Sequence, residues 1–176
     1  MVDSSADHPE DEVFMAMALD LAAAALAKGE FPVGCVLVAG GSVIAAGQRQ
    51  ASRGQDANEL DHAEMVALRQ MYQQTTARSG LWAYCTLEPC LMCFGALLLA
   101  QVSRIVYAYE DVMGGAAGRS RRDFAPLYSG HPVTIVAGVL RDRSLRLFKM
   151  FFRDPCNVYW QQSLLARYTL DLSSGA

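Results

Sequence analysis

The chain is 176 residues long, 52% hydrophobic and 19% charged, with a formal net charge of −3 and a sequence pI of about 5.6. That is one domain's worth of chain, too apolar to be disordered and too short for two full-sized domains. Taken whole it is not a basic protein, which argues against nucleic acid as a default partner, and no run reaches the ~18 to 20 uninterrupted apolar residues that a bilayer requires.

Residues 1–12 hold five acids and no base and read as a frayed acidic lead-in. The apolar run that follows, 13–27, contains Asp20 and leads into Lys28, Gly29 and Glu30. A secretory signal starts basic and ends on small residues, so a cytoplasmic protein without a membrane partner is expected. Val13, Met17 and Leu21 recur at helical spacing and predict a helix ending at Gly29. Val33 to Val38 is a continuous apolar run suited to a strand covered on both faces. Gly40-Gly41 then marks a hairpin into a second strand, 43–46. Residues 48–61 are polar and read as a loop, and 61–74 as a helix. Strands are expected at 81–86, 105–109 and 133–140. A helix opens at Pro89, another covers 144–153, and a last one covers 156–168. The Gly- and Arg-rich stretch 113–130 reads as a connection with room for a short helix.

This alternation implies an α/β domain of three layers, a mixed sheet of about five strands with helices on both faces. It would occupy 13–170, leaving 171–176 as a tail. The five cysteines, Cys35, Cys85, Cys90, Cys93 and Cys156, are odd in number and follow no disulfide framework. Cys35 and Cys85 fall in strands and read as small core residues.

Two motifs carry chemistry: His62-Ala63-Glu64 and Pro89-Cys90-Leu91-Met92-Cys93. Two thiolates and an imidazole make three good zinc ligands, the number a catalytic zinc site uses while keeping a position open. Cysteines at i and i+3 on a helix start share one face, and the free amides there favour thiolates. Zinc makes water nucleophilic near neutral pH, but a proton carrier is still needed. Glu64, beside the metal without being a ligand, can be that carrier. Ala63 keeps the step between them small enough for a flat ring to approach. The combined pattern H-x-E…P-C-x-x-C is a signature of zinc nucleobase deaminases.

At these residues the sequence resembles the cytidine deaminase superfamily, in particular its TadA-like branch of tRNA adenosine deaminases and related small-molecule enzymes. The resemblance spans about residues 13–153. It includes Phe31-Pro32-Val33-Gly34-Cys35-Val36-Leu37-Val38, Thr86-Leu87-Glu88-Pro89-Cys90, Gly115-Ala116-Ala117-Gly118 and Phe151-Phe152-Arg153. It implies a cytidine-deaminase-like fold, one zinc per chain on His62, Cys90 and Cys93, Glu64 as proton shuttle, and a homodimer. Candidate substrate contacts are Phe31, Val33, Arg49 and Ala63.

Three departures fall where substrate identity is decided. A substrate-contacting Asn of the family falls at Arg49, or one residue to either side at Gln48 or Gln50; the plain reading of Arg49 is a solvated loop arginine. The segment before His62 reads Asn58-Glu59-Leu60-Asp61 after a longer loop. The basic C-terminal helix of the tRNA enzymes is interrupted here by Asp154-Pro155. The expected activity is therefore hydrolytic deamination of an aminated purine or pyrimidine, as free base, nucleoside or nucleotide. Adenosine in a tRNA anticodon loop is the alternative, and a zinc-bearing scaffold without catalysis a further one. Tyr159-Trp160 reads as ordinary packing, with pocket closure or a dimer interface as other roles. The charge is also uneven. Beyond residue 12 the chain has fifteen bases against thirteen acids, and 119–153 alone has eight against two. Such a run is usually a solvated face, but it leaves a local anion-binding surface open.

Overall fold

The computed structural model describes residues 8–55, 57–74 and 79–172, so most of the expected lead-in and tail lies outside it. In chain order the elements are α1 (Asp11–Ala27), β1 (Gly34–Ala39), β2 (Ser42–Gln48), α2 (Ala63–Gln74), β3 (Trp82–Leu87), α3 (Leu91–Leu99), β4 (Arg104–Tyr109), α4 (Pro126–Ser129), β5 (Thr134–Ala137), α5 (Arg141–Arg153) and α6 (Leu164–Asp171). The strands form one mixed sheet in the order β2-β1-β3-β4-β5. β1 runs antiparallel to both β2 and β3, whereas β3, β4 and β5 are parallel.

The β1–β2 hairpin turns on Gly40 and Gly41, both with positive φ, as a tight two-residue turn requires. Ile44 is an extra residue on β2, because Leu37 faces Ala45 while Val38 faces Val43. Alternation along the strands sorts side chains to two faces. Val36, Val38, Tyr84, Val106 and Ala108 pack against Phe14, Met15, Ala18 and Leu19 of α1. Cys35, Leu37, Ala83, Cys85 and Ile105 face the cluster built with α2 and α3. Both faces are covered, which is why the central strands read as unbroken apolar runs.

Four expectations shift. The first helix begins at Asp11, ahead of the expected start at 13. Asp11 is 3% exposed; it pairs with Arg104 of β4 at 2.6 Å and accepts from the Tyr84 hydroxyl of β3 at 2.9 Å. The fifth strand ends at Ala137, not 140, because Gly138 and Leu140 adopt positive φ. α5 accordingly starts three residues earlier than expected, at Arg141. The last helix spans Leu164–Asp171 rather than 156–168. The side chains of Asp154 and Asn157 accept from the backbone two residues on, at Cys156 and Tyr159. These local turns compete with helix. The helix waits for Ser163, whose hydroxyl caps the Ala166 amide at 3.0 Å.

The basic run 119–153 is not one face. The Nε of Arg141 donates to Glu110 at 2.8 Å, Arg143 lies 3.6 Å from Asp20, and the buried Lys149 donates to the Leu172 carbonyl. Three of α5's five bases are therefore engaged within the fold. No helix among the described residues is long and apolar enough to cross a membrane.

Candidate active site

The two motifs meet at the starts of two neighbouring helices. His62 immediately precedes α2, and its carbonyl accepts the Val66 amide at 2.9 Å. β2 approaches this helix start so closely that a Cβ on Gly47 would stand 2.2 Å from the Ala63 carbonyl oxygen. Only glycine fits there. β3 delivers the second motif: Cys90 takes an extended backbone conformation at the N-cap of α3, with Cys93 in the first turn.

Nδ1 of His62 lies 3.6 Å from the Cys90 Sγ and 3.5 Å from the Cys93 Sγ. Ligand atoms of these three residues all fall within 4.8 Å of one another. Zinc bound at tetrahedral angles, with ordinary Zn–N and Zn–S bonds, separates its N and S ligands by about 3.6 Å. The cluster therefore fits zinc without rearrangement. Glu64 stands beside it, its Oε2 3.4 Å from the Cys93 Sγ. A hydrogen bond from Cys93, helped by His62 and the Cys93 amide, holds the Cys90 thiol down at about 4 despite its burial. The same bond pushes Cys93 well up, while the bond to Cys90 raises His62. Burial raises the Glu64 carboxyl.

A cleft opens over the cluster, with an empty volume of about 530 Å³ that is partly open to solvent. Its walls include Phe31, Val33, Arg49, His62, Ala63, Glu64 and Cys90. Cys93 is fully buried behind them. Seven of the eight residues singled out from the sequence thus share one cleft, with the eighth against its floor. Arg49 departs from its plain reading. It is 2% exposed and forms part of the wall.

Four further lining residues were not among the candidate site residues. Tyr159 and Trp160 come from the segment after Pro155. They stack on each other at 5.5 Å, and Tyr159 meets Phe31 edge-on at 5.3 Å. Glu88 lies inside the Thr86–Cys90 motif. Its carboxylate accepts from Gly118 at 2.8 Å and Asp111 at 3.3 Å. A Cβ on Gly115 would stand 2.4 Å from that carboxylate, so the glycine-rich loop wraps tightly around it. Asp111 accepts from the amides of Met113 and Gly114, both at 3.0 Å. Burial raises Glu88 and Asp111 alike. The place of Glu88 inside the Thr86–Cys90 motif was a signal in the sequence; Asp111 carried none.

Residues 8–109 match the cytidine and deoxycytidylate deaminase zinc-binding region. The chain belongs to this deaminase family. Among its relatives, the tRNA-specific adenosine deaminase of Bacillus subtilis is 33% identical over 147 residues, covering 82% of this chain and 90% of that one. A solved structure from a study of A-to-I editing by tRNA:A34 deaminases is 32% identical, with a TM-score of 0.66, covering 77% of this chain and 98% of that one. The guanine deaminase of Nitrosomonas europaea shares the fold at 22% identity and a TM-score of 0.65, over 86% of each chain. As a member of the deaminase family the chain is a hydrolytic C–N deaminase with zinc as its metal.

Proposed function

We propose that this deaminase converts adenosine to inosine within a tRNA. The observation that carries the reading is similarity over most of both chains: 33% identity to a tRNA-specific adenosine deaminase over 82% of this chain. In this reading His62, Cys90 and Cys93 hold the zinc and residues 8–172 act as a single deaminase domain. Zinc bound there makes a water molecule nucleophilic near neutral pH.

The chain's own residues do the rest. Glu64 is buried beside the triad and not part of it. Burial raises its carboxyl toward the range where it can both accept and return a proton. It takes one proton from the attacking water and passes it to the ring nitrogen beside the amino-bearing carbon, then takes the second from the hydroxyl now on that carbon and delivers it to the departing amino group. Water is consumed and ammonia released, with the ring left as its oxo form. Ala63, with no bulk beyond Cβ, leaves room for the ring above the motif. Phe31 and Val33 supply an apolar wall. Exposed Arg119 and Arg122, on the loop that leaves the cleft at Gly114, give a modest basic rim for a phosphodiester backbone.

A second reading takes a free base, nucleoside or nucleotide as substrate. It is favoured by Tyr159 and Trp160, whose stacked rings add apolar surface to the cleft lining. The two are separated by measuring inosine formation in a tRNA transcript alongside ammonia release from a panel of free heterocycles. Inosine in the transcript supports the first reading. Ammonia from free heterocycles alone supports the second and removes the first. Activity on neither, with zinc in place, leaves the scaffold reading. Assembly as a homodimer belongs to the same proposal. It is supported by exposed Leu91 and Leu99 on α3 and is tested by light scattering.

A further inference from the structure

Glu88 follows the last residue of β3, and its amide donates to the Tyr109 carbonyl at the end of β4 at 2.7 Å. Its buried side chain takes hold of the segment that leaves β4. Each carboxylate oxygen accepts from a different end of that loop, Oε2 from the Asp111 amide at 3.3 Å and Oε1 from the Gly118 amide at 2.8 Å. Between these two anchors the loop doubles back onto the metal motif. The Ala116 amide donates to the Pro89 carbonyl at 3.0 Å, and Gly115 pairs with Cys90 in an isolated antiparallel bridge. A Cβ on Gly114 would stand 3.9 Å from the Cys90 Cβ. One carboxylate thus holds both ends of a loop whose middle holds the backbone of Cys90.

We propose that Glu88 is a positioning residue, which fixes the Cys90 thiol for the metal by closing the loop from Asp111 to Gly118 against it. The proposal rests on the reading of Cys90 as a zinc ligand. Cys93 lies within the first turn of α3, where the helix itself sets its place. Cys90 is the N-cap, with an extended backbone. Its carbonyl enters the helical ladder by accepting from Phe94 at 2.8 Å, but the chain before it lies outside that ladder. On that side the bonds come from the loop. The loop in turn needs two acceptors from Glu88. A carboxylate accepts at both oxygens, whereas a glutamine amide accepts at one and turns an NH2 toward the other backbone N–H. A buried N–H left without an acceptor is costly, so one end of the loop opens. Glu88 touches no reacting atom in this role and transfers no proton.

The test reads the metal rather than turnover. Zinc-loaded wild type and Glu88→Gln are mixed with excess pyridylazoresorcinol and zinc release is timed. Cobalt-loaded samples give the thiolate-to-cobalt absorption bands. Glu88→Gln should release zinc roughly tenfold to a hundredfold faster, the usual effect of losing a group that orients a metal ligand, with the cobalt bands shifted. Leu145→Ala, which opens a cavity in the core at α5, is the control for lost stability. It should release zinc at the wild-type rate and leave the bands in place. Zinc release and cobalt bands unchanged in Glu88→Gln overturn the proposal. So does equally fast release from Leu145→Ala, which would make the effect one of stability alone. If Glu88→Gln fails to fold, Gly118→Ala decides on the same two readouts. Its methyl would press on Oε1 from 3.3 Å, three residues away from the bridge to Cys90. Wild-type cobalt protein without thiolate bands would remove the ligand assignment and this proposal with it. Inosine formation in a tRNA transcript is measured on the same wild-type protein. No inosine beside the expected metal readouts would remove the tRNA reading and leave the role of Glu88 standing.

Discussion

The Sγ of Cys93 and the Oε2 of Glu64 lie 3.4 Å apart, where the candidate metal cluster meets the proposed proton carrier. Cys93 is the fully buried member of that cluster, and Glu64 lines the cleft. Replacing Glu64 by Gln keeps the shape and removes the titrating oxygen. The Glu64→Gln protein should retain zinc by elemental analysis and lose roughly 10²- to 10⁴-fold in ammonia release, the usual contribution of general acid–base catalysis. Turnover near the wild-type rate would remove Glu64 from the mechanism.

Metal retention should separate the cysteines sharply. Cys90→Ser and His62→Ala each break the three-residue cluster and should lower zinc content well below one per chain. Cys156 is exposed on the segment after Pro155, and Cys156→Ser should leave zinc untouched. If Cys156→Ser also empties the site, the ligand set is wrong.

Gly47 offers a test of how the sheet places the chemistry. A methyl group there meets the Ala63 carbonyl oxygen at 2.2 Å, a backbone atom that cannot swing aside. Gly47→Ala should displace the start of α2, with His62 and Glu64 on it. We expect a loss of about 1 to 3 kcal/mol in urea unfolding, typical of overpacking, with weakened zinc retention. A variant as stable and as metal-rich as wild type would mean that β2 does not set the position of that helix.

The buried pair Asp11–Arg104 extends the fold toward the N-terminus. Removing one partner of such a pair leaves a buried charge unmatched and typically costs about 3 to 5 kcal/mol. Asp11→Ala should approach that range in urea unfolding. A chain beginning at residue 13 should be destabilised more than one beginning at residue 8. Equal stability of these two truncations would show that the pair contributes little.

Acid stability has a predicted sign at Glu110. Burial pushes its carboxyl up, but hydrogen bonds from Arg141 and Tyr168 more than reverse this and leave it below the ordinary value. A carboxyl lowered in the folded state adds stability above its unfolded pKa of about 4.3. That stability disappears as pH falls through the folded value. Wild type should therefore exceed Glu110→Gln in melting temperature at pH 6–7, and the gap should close as the pH is taken below about 4. A gap that stays constant down to pH 3 would assign the difference to packing rather than charge.

Much of this molecule was legible from its sequence, for identifiable reasons. Periodicity and turn residues placed five strands and the main helices, because each carries its own local signal. The metal cluster was legible because Cys90 and Cys93 share a helix start at i and i+3 and the combined motif has a known signature, while the approach of His62 is made by folding. What escaped depended on contacts made by folding. Asp11 looks like one more acid in an acidic lead-in until β3 and β4 bring Tyr84 and Arg104 to it. Arg49 looks like a loop arginine until Asn58, Glu59 and Tyr159 close around it. The segment 156–163 was expected to be helical, yet Asp154 and Asn157 bond their own backbone and delay the helix to Ser163.

The network joining Arg49, Glu59 and Tyr159 also divides labour within the cleft. The metal cluster and Glu64 are rooted in helix starts seated on the sheet. Part of the cleft wall is contributed by Arg49 in the loop before His62 and by the tail after Pro155. Those two segments can lengthen, shorten or exchange side chains without disturbing a strand. A change of substrate therefore needs no change of catalyst, and one scaffold can be retuned at its rim while its reactive centre stays constant.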